Sequence, residues 1–206
     1  MANILVFGDS IAAGAWDIEG GWVARLKKHF FKRILDTKLS EYHEIHNLGI
    51  PGDISSDIVV RFENETNARK WEDLETIIIF EFGINDSAMI VNTNSNWVDK
   101  KIFYEDLQIL VTKAKKYTEN IIVLGLTPID ELQVNPIPWD TKKAYIKSEI
   151  KKYDLILNNF CGENNIIYIE LYNKLNKADL TDGVHPNTTG HQIIFYEVLK
   201  VIEKII

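Results

Sequence analysis

The sequence predicts an α/β fold in which helices cover both faces of a parallel β-sheet. Short apolar runs rich in Ile and Val alternate along the chain with longer amphipathic segments, a pattern typical of successive βαβ units. The runs mostly lack an alternation of apolar and polar residues, as expected for strands that are buried on both faces. No internal repeat, low-complexity tract or linker interrupts the pattern, so we expect one domain over residues 1–206.

Five of the apolar runs are candidate strands. Right-handed crossovers between parallel strands produce a three-layer α/β/α sandwich. The flavodoxin-like order 2-1-3-4-5 is the topology that we expect for this five-stranded parallel sheet, with a crevice at the carboxyl ends of the first and third strands. The candidate strands are Ile4–Phe7, Glu44–Leu48, Ile77–Phe82, Ile121–Leu126 and Ile166–Ile169.

Four other segments carry apolar residues at helical spacing, and we expect those residues to lie in the core. Thr141 is a candidate N-cap of the third helix, and Pro186 precedes the last helix. The apolar positions are Trp22, Leu26, Phe30 and Ile34; Phe103, Leu107, Leu110, Ala114 and Tyr117; Ile146, Ile150, Tyr153, Leu157 and Phe160; and Ile194, Val198, Val201 and Ile205.

The composition is that of an ordinary globular protein, with 46% apolar and 26% charged residues among 206. A net charge of −7 argues against a nucleic-acid partner and against attraction to anionic membrane surfaces. Cys161 is the only cysteine, so no intrachain disulfide can form. No apolar run has the length of a membrane span or of a signal-peptide core. We therefore expect a cytoplasmic protein, unless a leader has been removed.

Two connections are long for such a fold, over residues Ile84–Val98 and Thr127–Asp140. Long ordered loops are often functional. Met89, Trp97 and Trp139 within or beside them are candidate substrate-binding residues, because an apolar set at the sheet edge could line a pocket. The alternative is that these side chains only cover the edge of the sheet.

Polar motifs stand beyond the ends of four predicted strands. Gly8–Ser10 follows the first strand, Asn47–Asp53 the second and Gly83–Asp86 the third, while Asp182–Asn187 comes some residues after the fifth. The carboxyl ends of parallel strands meet at one edge of a sheet. The four motifs are therefore expected to form the walls of a single site.

The residue types in these motifs suit acyl transfer through a covalent serine. Ser10 is the candidate nucleophile, and His185 is the base that would take its proton. Asp182, three residues earlier, can fix the tautomer of the imidazole. The backbone N–H groups of Ser10 and Gly49 and the side-chain amide of Asn85 are candidate donors of an oxyanion hole.

These motifs resemble the sequence blocks of the SGNH hydrolases, the GDSL-type esterases and lipases, in the right order and over nearly the whole chain. The resemblance implies a carboxylic-ester hydrolase that forms an acyl-Ser10 intermediate. Esterase, lipase, acetylesterase, thioesterase or lysophospholipase activity are all open, and transfer of the acyl group to an alcohol or amine is not excluded. Ile11 stands where the namesake motif has Leu. The matching residues are Gly8-Asp9-Ser10, Gly49, Gly83-Ile84-Asn85-Asp86 and Asp182-x-x-His185-Pro186.

Two alternatives to an active hydrolase remain. A flavodoxin-like receiver domain would use Asp9 and Asp86 to hold Mg²⁺ and accept phosphate, but it leaves Asp182 and His185 without a role. A non-catalytic member of the same family would bind acyl or carbohydrate groups. The sequence does not decide the oligomeric state.

No metal or cofactor is expected. His43 and His46 would point to opposite faces of a strand, and His191 is expected on a helix that points away from Asp182 and His185. The glycines do not form a phosphate-binding loop of either common type.

Overall fold

The computed structural model describes residues 1–206. Its eight strands are β1 (Ala2–Gly8), β2 (His43–Gly49), β3 (Glu75–Glu81), β4 (Met89–Ile90), β5 (Ser95–Asn96), β6 (Ile121–Leu124), β7 (Lys143–Ala144) and β8 (Ile167–Ile169). The main sheet has five parallel strands in the order β2-β1-β3-β6-β8. Counted alone, these strands have the order 2-1-3-4-5, so the predicted fold class is confirmed.

Seven helices accompany the strands. Helix α2 packs against α7, and α3 packs against α4, as expected when helices cover the two faces of a parallel sheet. The helices are α1 (Ser10–Ala13), α2 (Gly21–Asp36), α3 (Ser55–Arg69), α4 (Lys100–Ala114), α5 (Glu131–Val134), α6 (Lys147–Asn164) and α7 (Thr188–Ile202), with a short 3₁₀ turn at Lys177–Asp179. No helix has both the length and the apolar character needed to cross a membrane.

Helix α3 was not identified from the sequence. Only four of its positions are buried, and two of those, Ser55 and Thr66, are polar. Its apolar stripe therefore reduces to Ile58 and Phe62, which is too short to reveal helical periodicity. The Phe62 ring nevertheless packs 4.9 Å from the Phe7 ring, between centroids, and so anchors α3 on the sheet.

The predicted start of the third helix was wrong. Helix α6 begins at Lys147 after Ile146, and Thr141 lies in a turn outside it. Between Thr141 and Ile146 the chain forms a strand and not a helix, because Lys143 and Ala144 form β7 and pair with β4. Strand pairing therefore excludes the helix from the positions that Thr141 would have capped.

The two long connections contain order that the sequence pattern did not reveal. Strands β4 and β5 from the first connection and β7, which follows the second, form a small antiparallel sheet in the order β5-β4-β7. Met89 pairs with Asn96 on one side and with Ala144 on the other. This small sheet fixes the segment between β3 and α4 at the edge where the polar motifs lie.

The register of the central strands brings the first polar motifs to one level. Gly8, the last residue of β1, pairs with Gly49 at the end of β2 and with Glu81 at the end of β3. A Cβ atom at Gly8 would stand 2.4 Å from the Glu81 carbonyl oxygen and 2.6 Å from the Ala12 Cβ. Only glycine fits at this point, where the chain leaves the sheet and turns into α1.

His191 on α7 gives the stability of the fold a testable dependence on pH. The side chain is fully buried, its Nδ1 has no partner, and burial lowers its pKa to about 4. Below about pH 6.5 His191 binds a proton in the unfolded chain, whereas in the folded chain it binds one only below about pH 4. Stability is therefore lost as the pH falls through this window.

We expect the wild type to lose on the order of 2 kcal/mol more unfolding free energy between pH 7 and pH 4.5 than the His191→Gln variant. The glutamine keeps a side-chain N–H donor but cannot titrate. Urea unfolding of both proteins at the two pH values measures the difference. Equal losses in the two proteins would show that His191 does not carry the effect.

Candidate active site

Ser10 lies at the first position of α1, immediately beyond the carboxyl end of β1. Asp9 caps this short helix, since its Oδ1 accepts the Ile11 N–H at 2.9 Å. The Ser10 N–H belongs to the first turn, where backbone donors have no partner within the helix. The turn therefore presents both the hydroxyl and the backbone N–H of Ser10 at the edge of the sheet.

Ser10, His185 and Asp182 form one chain of hydrogen bonds. Ser10 Oγ lies 2.9 Å from His185 Nε2, and His185 Nδ1 lies 2.7 Å from Asp182 Oδ2. With the imidazole proton on Nδ1, His185 donates to the carboxylate and keeps Nε2 free to accept the serine proton. The three predicted residues are thus brought together in the geometry that proton transfer from Ser10 requires.

The loop that carries His185 also fixes the Asp182 carboxylate. Its Oδ1 accepts the backbone N–H groups of His185 and Val184, at 2.9 and 3.1 Å. Burial alone would raise the pKa of Asp182, but the hydrogen bonds from the His185 side chain and these backbone groups hold it below its usual value. Gly183, at φ +92°, makes the tight turn between the two side chains possible.

Asn85 follows β3 and is oriented by a residue that the motifs did not reveal. The Tyr145 hydroxyl donates to Asn85 Oδ1 at 2.8 Å, which directs the amide NH₂ group away from Tyr145. One amide hydrogen is used by the Asp53 carbonyl at 3.0 Å, and the other has only a long contact of 3.4 Å with Asp9 Oδ2. Tyr145 stands alone after β7, so no sequence signal marked it.

Gly49 at the end of β2 and Gly52 beyond it differ in what their backbone N–H groups can do. The Gly49 N–H donates to Asn47 Oδ1 at 3.0 Å, and a Cβ atom at Gly49 would stand 2.4 Å from the Ala13 nitrogen. The Gly52 N–H has no partner, its φ is +89°, and nothing lies within 4 Å of where its Cβ would be. Gly49 as an oxyanion donor stays a prediction, and Gly52 joins it as a candidate with a free donor.

Three acidic side chains are buried behind Ser10. Asp9, Glu81 and Asp86 are all at most 4% exposed. Burial raises the pKa of each, and that of Asp86 reaches about 6. Asp9 caps α1, and Asp86 Oδ1 accepts the Ser55 N–H at 3.0 Å. Their internal contacts favour a structural role over the exposed phosphate acceptor of a receiver domain.

The three residues predicted to bind substrate differ in what they contact. The Trp139 ring centroid is 5.9 Å from that of His185. Trp97 instead packs against Lys143, whose Nζ lies 2.9 Å from the ring centroid, and the Met89 sulfur accepts the Asn96 amide at 3.3 Å. A substrate-binding role stays a prediction for all three, and only Trp139 contacts the candidate site.

Trp16 is a second aromatic neighbour of His185 that the sequence reasoning missed. Its ring centroid lies 6.0 Å from that of the imidazole, and its Nε1–H donates to Asp182 Oδ2 at 2.8 Å. The sequence feature that could have identified Trp16 is its position between Gly14 and Gly20, six residues after the candidate nucleophile. An exposed aromatic residue at such a point is a candidate site residue.

Two cavities of the structure are not lined by the candidate catalytic residues. A cavity of about 720 Å³ is lined by side chains of α2 and α7 that include Arg25 and Lys28, and one of about 520 Å³ by residues that include Trp71 and Lys116. Neither is lined by Ser10 or His185. No group of three or more His, Cys, Asp or Glu side chains is arranged to hold a metal ion.

Comparison with known proteins places this geometry in a family. Residues 6–193 match the family model described as the GDSL-like Lipase/Acylhydrolase family. Together with the fold, the match defines the protein as a hydrolase that acts on ester bonds. The chain belongs to the GDSL-like lipase/acylhydrolase family, as the motifs led us to expect.

Solved structures show the same fold at low sequence identity. A lipase/acylhydrolase from Enterococcus faecalis aligns with a TM-score of 0.74 and 22% identity, over 99% of this chain and 96% of that one. A G-D-S-L family lipolytic protein from Veillonella parvula gives 0.69 and 21%, over 98% of each chain. A variant of an acetyl xylan esterase from Geobacillus stearothermophilus gives 0.70 and 20%, over 97% and 93%. No curated protein sequence matches the chain.

We expect the Tyr145→Phe variant to lose about tenfold in kcat on a chromogenic ester, with KM little changed. The loss of the hydroxyl frees Asn85 to rotate, and a misplaced amide would weaken the oxyanion stabilisation that the motifs predict for Asn85. Tyr168→Phe is the matched control, because the Tyr168 hydroxyl bonds to Asp154 and contacts none of the site residues. Equal kcat values for Tyr145→Phe and the wild type would refute an orienting role.

Proposed function

We propose that the protein is a carboxylic-ester hydrolase that forms an acyl-Ser10 intermediate, with His185 as general base and Asp182 as its partner. The single observation that carries this proposal is the continuous chain of hydrogen bonds from Ser10 Oγ to Asp182 Oδ2, through spacings of 2.9 and 2.7 Å. It lies at the carboxyl edge of the sheet, where open α/β folds bind their ligands. Membership of a family of lipases and acylhydrolases supports the same reaction.

The first half of the reaction acylates Ser10. His185 Nε2 takes the proton from the Ser10 hydroxyl as Oγ attacks the carbonyl carbon of the ester. Asp182 accepts the hydrogen bond from His185 Nδ1, and its negative charge stabilises the imidazolium that results. Collapse of the tetrahedral intermediate breaks the bond to the alcohol oxygen, which leaves with the proton from Nε2.

The second half releases the acid. Water takes the place of the alcohol, His185 Nε2 accepts one of its protons, and the hydroxide oxygen attacks the acyl carbon. Collapse then returns the proton to Ser10 Oγ and frees the carboxylic acid. No cofactor is needed, because every proton transfer uses His185 and every bond change involves Ser10, the ester or water.

The oxyanion in both halves needs preorganised donors. The candidates are the Ser10 N–H, the Asn85 amide hydrogen that makes only the long contact with Asp9, and a glycine N–H after β2. We favour Gly52 for the third position, because its N–H is free while that of Gly49 is bonded to Asn47. Burial raises the pKa of Asp9 to about 7, which reduces its negative charge. A full second negative charge beside the oxyanion would oppose this arrangement.

Esters of short acyl groups are the substrate class that we propose. The cavities of about 720 and 520 Å³ are lined by neither Ser10 nor His185, so neither offers an acyl chain a channel beside the nucleophile. The acetyl xylan esterase with the same fold is named for acetyl groups on a sugar polymer. Acetyl esters, including acetylated sugars, are therefore the first compounds to test.

We expect Ser10→Ala to lower kcat on a chromogenic acetyl ester by at least about a thousandfold, because no other side chain can form the acyl-enzyme. Initial rates at saturating substrate measure the effect. Ser87→Ala is the matched control, since the Ser87 hydroxyl bonds to the Ile84 carbonyl and lies outside the chain of site hydrogen bonds. Turnover that survives Ser10→Ala would exclude the proposed mechanism.

We expect Asp182→Asn to lower kcat by about a hundredfold or more while leaving the fold intact. The amide keeps an oxygen for the Val184 and His185 N–H groups, but it cannot stabilise the imidazolium by charge. Steady-state kinetics and circular dichroism of the same samples separate these effects. Unchanged kcat would remove Asp182 from the mechanism.

A further inference from the structure

Trp16 is an exposed residue whose indole nitrogen reaches the acidic end of the hydrogen-bonded chain. Its Nε1–H donates to Asp182 Oδ2 at 2.8 Å, and the same oxygen accepts the bond from His185 Nδ1 at 2.7 Å. The ring stands edge-on to the imidazole, with the two planes at 89°. Trp16 is 65% exposed, so burial of the ring does not explain why the side chain lies here.

The residues on either side of Trp16 are anchored. The Ala15 carbonyl accepts a bond from His191 Nε2 at 3.4 Å, and His191 is fully buried. The Asp17 carboxylate forms an ion pair with Arg25 and accepts the Thr188 hydroxyl at 2.9 Å. Both neighbours of Trp16 are thus tied to α2 or α7.

The backbone of Trp16 itself is in the left-handed region, at φ +63°. A bulky residue seldom adopts this conformation, which persists only where the surroundings enforce it. Here the anchored neighbours hold the loop, and the left-handed turn aims the indole N–H at the carboxylate.

We propose that Trp16 is a positioning residue, which orients the Asp182 carboxylate and limits how strongly that carboxylate holds the imidazolium of His185. This inference rests on the proposed function, because it concerns the base of the Ser10 reaction. Trp16 acts through Asp182 and needs no contact with the reacting atoms.

The Asp182 carboxylate accepts several hydrogen bonds, and their number limits how strongly it holds the imidazolium. Asp182 Oδ1 already accepts two backbone N–H groups, and Oδ2 accepts His185 Nδ1. Trp16 Nε1 also lies 3.1 Å from His185 Nδ1. An indole N–H can only donate, so when Nδ1 carries a proton the partner of the indole N–H is Asp182 Oδ2. Each donor stabilises the negative charge and weakens its pull on the imidazolium proton. The indole N–H of Trp16 therefore limits how strongly Asp182 holds that proton.

Other titratable groups also act on His185 and Asp182 from neighbouring elements. Asp9 at the start of α1 and His191 on α7 interact electrostatically with His185, and Tyr145 interacts with Asp182. None of them contacts the indole nitrogen of Trp16. A substitution at Trp16 that keeps an aromatic ring therefore changes the donor to Asp182 and leaves these groups in place.

The test compares Trp16→Phe, which keeps a ring and loses the N–H, with Trp71→Phe as the matched control. Trp71 is also half-exposed, but it packs against Tyr42, at 5.8 Å between ring centroids, and makes no hydrogen bond to the site. The measurement is kcat/KM on a short-chain ester as a function of pH. We expect the midpoint of the acid limb to rise by about 0.5 pH unit or more in Trp16→Phe, and to stay unchanged in Trp71→Phe.

A second measurement does not depend on turnover. Both substitutions are made in the Ser10→Ala background, and the His185 imidazole is titrated by NMR. A higher midpoint in Trp16→Phe alone supports the proposal, even if no ester is found to be hydrolysed. Superimposable titrations of the three proteins, or equal shifts in the two tryptophan variants, would overturn it. Thermal unfolding of each variant confirms that the loop substitution leaves the fold intact.

Discussion

The parallel pairing of β1 with β2 and β3 is the constraint on which the rest of the site depends. It brings Gly8, Gly49 and Glu81 to one level at the carboxyl edge of the sheet. The chain leaves the sheet at the ends of these three neighbouring strands. The Ser10 turn, Gly49 with Gly52, and Asn85 therefore converge although they are far apart in sequence. The loop with Asp182 and His185 then closes the fourth side, from a segment more than 170 residues further along the chain than Ser10.

This convergence has an electrostatic cost. The tight exit of β1 leaves Asp9, Glu81 and Asp86 buried close together, and Glu81 Oε2 has no hydrogen-bond partner. Uncompensated buried carboxylates are expensive, and burial accordingly raises the pKa of each group. A raised pKa favours the uncharged form, which lowers this cost and reduces the negative charge close to the place where an oxyanion would form.

The sequence predicts those site residues whose motifs can be placed by reference to the end of a predicted strand. Ser10 and Asn85 lie in polar motifs just beyond apolar runs, Asp182 and His185 lie in a polar motif between the fifth run and the last helix, and the structure brings these motifs together. Tyr145 and Trp16 contact the site from a two-residue strand and from a short glycine-flanked loop, which have no periodicity to detect. Their positions depend on tertiary contacts, namely the pairing of β7 with β4 and the anchoring of Ala15 and Asp17. The same reasoning explains the fold: long apolar strands were located, while α3, with two polar residues among its four buried positions, was not.

The central claim is that Ser10 is the nucleophile, and covalent labelling tests it most directly. The protein is treated with an organophosphonate ester, which reacts with a serine that has an activated hydroxyl, and the modified peptide is mapped by mass spectrometry. The account predicts one adduct, on Ser10, whose formation is abolished by His185→Ala and stops ester hydrolysis in proportion to its yield. Full modification of another residue, or hydrolysis that continues after Ser10 is completely labelled, would contradict it.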